Sequence, residues 1–150
     1  MKVKRYKRMK RIISIYRNNF NFHPPFRVLV DGTFALAALK NQINLREQMP
    51  KYLNEVVPIF NLLEKNNYGP KPASVCLYDM ARKMRKNETK YFIATQDHEL
   101  TDSLRELIGV PILFIKFKSI LIDKISVSTL QVGKSFLFCN NFRKFILLVT

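Results

Sequence analysis

The sequence predicts an α/β fold, a small parallel sheet flanked by helices and preceded by a basic helical arm, and three observations carry that prediction. Short β-rich runs alternate with helical stretches, from Phe26–Val30 followed by Thr33–Lys40 to Tyr91–Thr95, Asp97–Leu107 and Val110–Ile115. Strands separated by a helix pair in parallel through a right-handed crossover. With 150 residues, 47% hydrophobic and 25% charged, the chain has room for one domain with a real core. The cations crowd the beginning: residues 1–17 hold eight Lys and Arg, and the first acid is Asp31.

In order, the first element is the arm. Val3, Tyr6, Met9, Ile13, Tyr16 and Phe20 recur three or four residues apart, which gives a helix with one apolar stripe and a cationic remainder. His23-Pro24-Pro25 ends it. Phe26 to Val30 reads as a strand that stops at Asp31-Gly32, and the Ala- and Leu-rich Thr33 to Lys40 as a helix. Asn44 to Asn67 is helical in composition, and Pro50 and Pro58 break it into two short helices. The run from Asn66 to Pro72 is a loop. Ser74 is placed to cap a helix reaching about Lys86, with Cys76, Met80 and Met84 on its apolar side. Tyr91 to Thr95, Asp97 to Leu107 and Val110 to Ile115 are strand, helix and strand, and Ser119 to Ile122 adds an edge strand. The organisation expected is an arm over residues 1–24, a domain over 25–125 and an apolar, basic tail over 126–150.

Twenty-six Lys and Arg against eleven Asp and Glu leave a formal charge of +15, which favours a polyanionic partner and puts nucleic acid first. The arm supplies the contacts expected for RNA: Lys2, Lys4, Arg5, Lys7, Arg8, Lys10, Arg11 and Arg17. Such a density of cations neutralises phosphates and releases counterions. Tyr6 and Tyr16 have two readings, stacking on unpaired bases or packing along the helix stripe. Cys76 and Cys139 lie far apart and form no C-x-x-C pair, so neither a disulfide framework nor a zinc cage follows, and a reducing compartment fits. No apolar run reaches the roughly 18 to 20 residues of a membrane span, and no membrane partner is expected.

Chemistry in open parallel sheets collects beyond the carboxyl ends of the strands. Asp31 follows the first strand directly, and Asp97 follows the second after one intervening residue, with Glu99 and Asp102 in the next helix. Two readings stand side by side. Clustered carboxylates there could hold Mg²⁺ or Mn²⁺ and run a two-metal phosphodiester cleavage. Equally, Asp31 and Asp97 each occupy a helix N-cap position, where a carboxylate accepts backbone N–H bonds.

Two blocks of residues then resemble a known family. Arg17-Asn18-Asn19-Phe20, Val28-Leu29-Val30-Asp31-Gly32-Thr33-Phe34 and Leu45 to Leu53 form the first, while Tyr91 to Asp97 and Gly109 to Ile115 form the second. Together they resemble the ribosomal-RNA-processing PIN proteins of the Utp-twenty-three and Fcf-one group, with the Utp-twenty-three branch nearer. That resemblance implies a PIN-like three-layer domain, a nucleolar location in the nucleus, and membership of the small-subunit processome. It also implies pre-ribosomal RNA, small nucleolar RNA and processome proteins as partners, in pre-rRNA processing and release of the small nucleolar RNA, without nuclease activity.

By position, Asp31 matches the first acid of the PIN site and Asp97 a later one, which leaves Asp31, Asp97, Glu99 and Asp102 as a vestigial acidic site. Glu64 is the nearest counterpart of the acid from the family's central helix, but residues 56–72 are shorter than the family's equivalent. The zinc site carried there by the branch is reduced to Cys76, so no cofactor is expected. The tail from about Val132 also diverges. The two rival readings are an active metal-dependent PIN endoribonuclease and a mitochondrial protein with the arm as transit peptide.

Overall fold

The computed structural model describes residues 2–54, 59–61, 72–86 and 89–133. A five-stranded sheet runs through them in the order β2-β1-β3-β4-β5, with β1 (Arg27–Val30), β2 (Ile59–Asn61), β3 (Tyr91–Ala94), β4 (Ile112–Lys116) and β5 (Ser119–Ile122). β1 pairs in parallel with β2 and β3, β3 pairs in parallel with β4, and β5 returns antiparallel along β4. The helices are α1 (Lys2–Phe20), α2 (Gly32–Lys40), α3 (Leu45–Leu53), α4 (Ala73–Lys83) and α5 (His98–Glu106). A further helical stretch covers residues 127–133.

Alternation along the strands decides the layers. Successive strand side chains point to opposite faces, so Val28 and Val30 join one core while Leu29 joins the other. The first core also holds Phe92, Ala94, Leu113 and Ile115 from the sheet, and α1, α2 and α3 cover it with residues such as Met9, Phe34, Ala38, Met49 and Leu53. On the other face Ile93 and Ile112 pack under Cys76, Leu77 and Ala81 of α4 and Leu100 and Leu104 of α5. The result is the three-layer α/β arrangement that the alternation of strand and helix predicts.

The first helix is a wall of this domain. Met9, Ile12, Ile13 and Tyr16 are buried in the first core, whereas Val3, placed on the same stripe, stays exposed. The Tyr16 hydroxyl donates to the Val110 carbonyl at 3.2 Å, across 94 residues of sequence. Its ring stacks edge-on to Phe22 at 5.4 Å, and Phe22 meets Phe92 of β3 at 5.5 Å, so an aromatic chain ties helix to sheet. Tyr16 is therefore a packing residue, and base stacking by it is ruled out.

Three expectations are corrected. Pro50 does not break α3: the helix runs through it, because Met49 and Leu53 are buried and the Tyr52 hydroxyl accepts the Ile122 amide at 2.9 Å. Tertiary packing outweighs the lost N–H. The second short helix expected before Asn67 gives way at Ile59–Asn61 to a strand beside β1. The rest of that expectation lies outside the described residues. Ser74 does not cap α4; Pro72 occupies the N-cap position and makes no side-chain cap bond. The tail begins with a well-anchored turn, in which Ser126 meets Thr129 at 2.7 Å and the buried Thr129 hydroxyl accepts the Gly109 amide at 3.0 Å. Residues 134–150 lie outside the described residues.

Gly109 has φ of +80°, and a Cβ there would lie 2.7 Å from the Phe20 ring. Gly109→Ala should therefore cost about 3 kcal/mol, adding left-handed strain to overpacking, and should lower the urea midpoint with an unchanged slope. Burial raises the hydroxyls of Tyr16 and Tyr52 above their ordinary value of 10.0. The folded chain thus holds these protons more tightly than the unfolded one. Their contribution is complete below about pH 10 and is lost as pH climbs beyond it. Thermal melting of the wild type should fall more steeply above that pH than melting of Tyr16→Phe.

Candidate nucleic-acid interface

The carboxyl edge of the sheet carries a compact polar network built on Asp31. Its carboxylate is almost fully buried and accepts hydrogen bonds from the Thr33 hydroxyl and, at 2.9 Å, from Thr95. The Asp31 amide donates to the Ala94 carbonyl at 2.9 Å and continues the β1–β3 ladder. Asp31 occupies the N-cap position of α2 but makes no side-chain cap bond, so the capping reading fails for it. Its partners are the hydroxyls of Thr33 and the buried Thr95 instead.

Asp97 does cap its helix. Its Oδ1 accepts the amides of Glu99 at 3.0 Å and Leu100 at 3.4 Å, while its own amide donates to the Thr95 hydroxyl at 3.1 Å. Thr95 thus links the two acids through one oxygen. Between them Gln96 donates its side-chain amide to the Ile115 carbonyl and accepts the Ile115 amide, at 3.0 and 2.9 Å. That pair continues the sheet's hydrogen bonding toward β4 with a side chain.

Glu99 is exposed on the first turn of α5, and Asp102 turns to Arg105, which also holds Asp123 at 2.8 Å. Glu64 lies outside the described residues. Among the described residues no three His, Cys, Asp or Glu side chains gather where they could hold a metal ion. A Mg²⁺ or Mn²⁺ pair needs several free carboxylate oxygens, whereas Oδ2 of Asp31 is engaged by two hydroxyls and Oδ1 of Asp97 by two amides. Among the described residues, then, no ready-made two-metal centre is assembled at this edge. Cys76 is a buried free thiol within the α4–α5 core, with no ligand set for zinc around it among the described residues.

The cationic surface lies on α1. With Met9, Ile12, Ile13 and Tyr16 turned to the core, Lys4, Lys7, Arg8, Lys10, Arg11 and Arg17 are exposed and Arg5 is half-buried. The side chain of Lys2 lies outside the described residues. Lys10 sits over the Tyr6 ring at 4.6 Å, and the Arg17 guanidinium lies 5.9 Å from the centre of the Phe26 ring. Beside the start of α1 is a cleft of about 600 Å³ whose walls include Arg5, Tyr6, Lys51, Tyr52 and Lys118. Arg5 and Arg8 lie near enough to the Tyr52 hydroxyl to favour its ionised form, although its burial dominates.

Sequence reasoning located both strand-end acids and the cationic helix, but missed Thr33, Thr95, Gln96 and this cleft. Thr95-Gln96-Asp97 was the available signal: a hydroxyl and an amide at a strand end, beside a cap.

The structure of the PIN domain endonuclease Utp24 matches 69% of this chain and 96% of its own, with a TM-score of 0.53 at 20% identity. The fold is thus that of a PIN-like α/β domain. The sequence profile of the Fcf1 family matches residues 36–124, more than half of the chain, and the chain belongs to that family. The rRNA-processing protein utp23 of Schizosaccharomyces pombe is 26% identical over 157 residues, covering 87% of this chain. The chain spans 60% of that relative's length.

Asp97→Asn should leave stability nearly unchanged, because Asn caps as well as Asp, whereas Asp97→Ala should cost about 1 kcal/mol in denaturant unfolding. Asp31→Ala should cost more, about 2 to 3 kcal/mol, since it leaves the Thr95 hydroxyl without its buried acceptor.

Proposed function

We propose that this protein is an RNA-binding factor of ribosome biogenesis that acts in pre-rRNA processing without cutting RNA. It works in the nucleolus, within the small-subunit processome, on pre-ribosomal RNA and in the release of a small nucleolar RNA. The observation that carries the reading is the exposed cationic face of α1, fixed by a buried stripe and set on a PIN-like domain whose strand-end acids are already engaged. Membership of the Fcf1 family and the similarity to an rRNA-processing protein support the process. Among the described residues no helix is long and apolar enough to cross a membrane.

The burial of α1 bears on the mitochondrial alternative. A cleavable leader would take Met9, Ile12, Ile13 and Tyr16 out of the core with it. A fluorescent fusion of the intact chain should mark nucleoli, and accumulation in mitochondria would overturn the assembly role.

Truncating α1 would unfold the domain, so RNA binding is better tested by neutralising exposed cations. Lys7, Arg8 and Arg11 replaced together by Gln should keep the fold and lower affinity for single-stranded pre-rRNA. The log-log salt slope should become shallower by about 2, as loss of roughly three phosphate contacts requires. An unchanged slope would remove α1 from the RNA surface. The endonuclease alternative is tested with Asp97→Asn: Mn²⁺-dependent cleavage by the wild type that disappears in this folded variant would show that the chain is a nuclease.

A further inference from the structure

The turn between β4 and β5 is built against its usual preference. Lys116 pairs with Ser119, which leaves Phe117 and Lys118 as a two-residue loop, both at φ of 53°. Hairpins of this kind favour Asn-Gly or Asp-Gly, because both central residues must enter the left-handed region. A bulky aromatic there is strained, and Phe117 gains no burial in exchange: it is 81% exposed. Lys116 places its Nζ 5.2 Å from the Phe117 ring centre, and Lys118 follows directly. Packing within the domain gives no reason for this residue.

The position of the loop does. Because β5 runs back along β4, the tip lies at the carboxyl end of the parallel strands, the edge that carries Asp31 and Asp97. Lys118 also lines the 600 Å³ cleft, together with Arg5 and Tyr6 of α1 and Gln48, Lys51 and Tyr52 of α3. Among the described residues no acid lines this cleft. Its walls therefore offer cations suited to phosphate and amides suited to base edges, and next to Lys118 stands an exposed aromatic ring with Lys116 over one face.

We propose that this hairpin and cleft form a subsite for an unpaired stretch of RNA, with phosphates on Arg5, Lys51 and Lys118 and one base stacked on Phe117. The proposal rests on the RNA-binding reading above and adds a second surface to α1. An unpaired strand is the matching form, because in a duplex the base faces are already covered, whereas a splayed base offers a whole face to an aromatic ring. Backbone strain of this kind clusters at ligand-contacting sites.

The test compares the wild type with F117N, F117Y and the double variant F117N/K118G. Binding is measured to a short single-stranded RNA containing 2-aminopurine and to a duplex of the same sequence. The double variant installs the favoured turn and should melt at a higher temperature, which keeps any lost binding separate from unfolding. F117N should weaken single-stranded binding by about tenfold and reduce 2-aminopurine quenching. Its salt slope should stay unchanged, because a stacked ring releases no counterions, and F117Y should retain wild-type affinity. If F117N matches the wild type on single-stranded RNA, the hairpin subsite is refuted while the α1 surface stands. Equal weakening on single strand and duplex would likewise refute base stacking. If the wild type binds neither RNA, the RNA-binding reading falls and takes this proposal with it.

Discussion

Burial of Met9, Ile12, Ile13 and Tyr16 against the sheet is the contact on which the distribution of charge depends. A helix turns about 100° per residue, so fixing one stripe fixes every other side chain around the axis. Once those apolar residues face inward, Lys4, Lys7, Arg8 and Arg11 can only face outward. The rotation is pinned further along by the Tyr16 hydroxyl on the Val110 carbonyl and by the ring contacts through Phe22 to Phe92. A basic peptide that would otherwise fluctuate becomes a rigid row of cations. Its affinity for a polyanion would then carry less ordering cost than that of a disordered tail.

The acidic edge shows the opposite economy. Oδ2 of Asp31 accepts from Thr33 and Thr95, and Oδ1 of Asp97 accepts two amides of α5. The bond from Thr95 to Asp31 satisfies groups that burial would otherwise penalise, and the network links β1, β3 and α5 at one end of the sheet. Both acids are thereby part of the framework at this edge. Gln96 extends that framework to β4 by replacing one ladder step with a side-chain amide.

Much of this was legible because the signals were periodic. The stripe in α1, the β-rich runs at β1, β3 and β4, and the acids directly after β1 and shortly after β3 each obey a spacing that backbone geometry imposes. Pro50 misleads because helix propensity takes no account of the buried Met49 and Leu53 on either side of it. β2 was hidden for a related reason: three residues after Pro58 carry too little pattern, and only pairing with β1 makes them a strand. The roles of Asp31 and Asp97 could not be separated by sequence, since both precede helices after strands. What divides them is the donor each carboxylate takes: Asp97 accepts amides of its own helix, whereas Asp31 accepts hydroxyls, one of them from Thr95, 64 residues away. The Phe117-Lys118 turn was invisible because its residues are the wrong ones for its backbone.

The bond between Tyr16 and Val110 also sets an order of events during synthesis. Within the domain α1 is made before the strand it packs against, β5, and before Val110, which are among the last parts to be made. Contacts of such long sequence separation are slow to close, because the intervening chain must be gathered before they repay its lost freedom. A nascent chain that stops short of Ile122 therefore carries an amphipathic cationic helix with no finished surface to rest on. The start and the end of the domain mature together, and a lesion in the late strands is felt by the first helix.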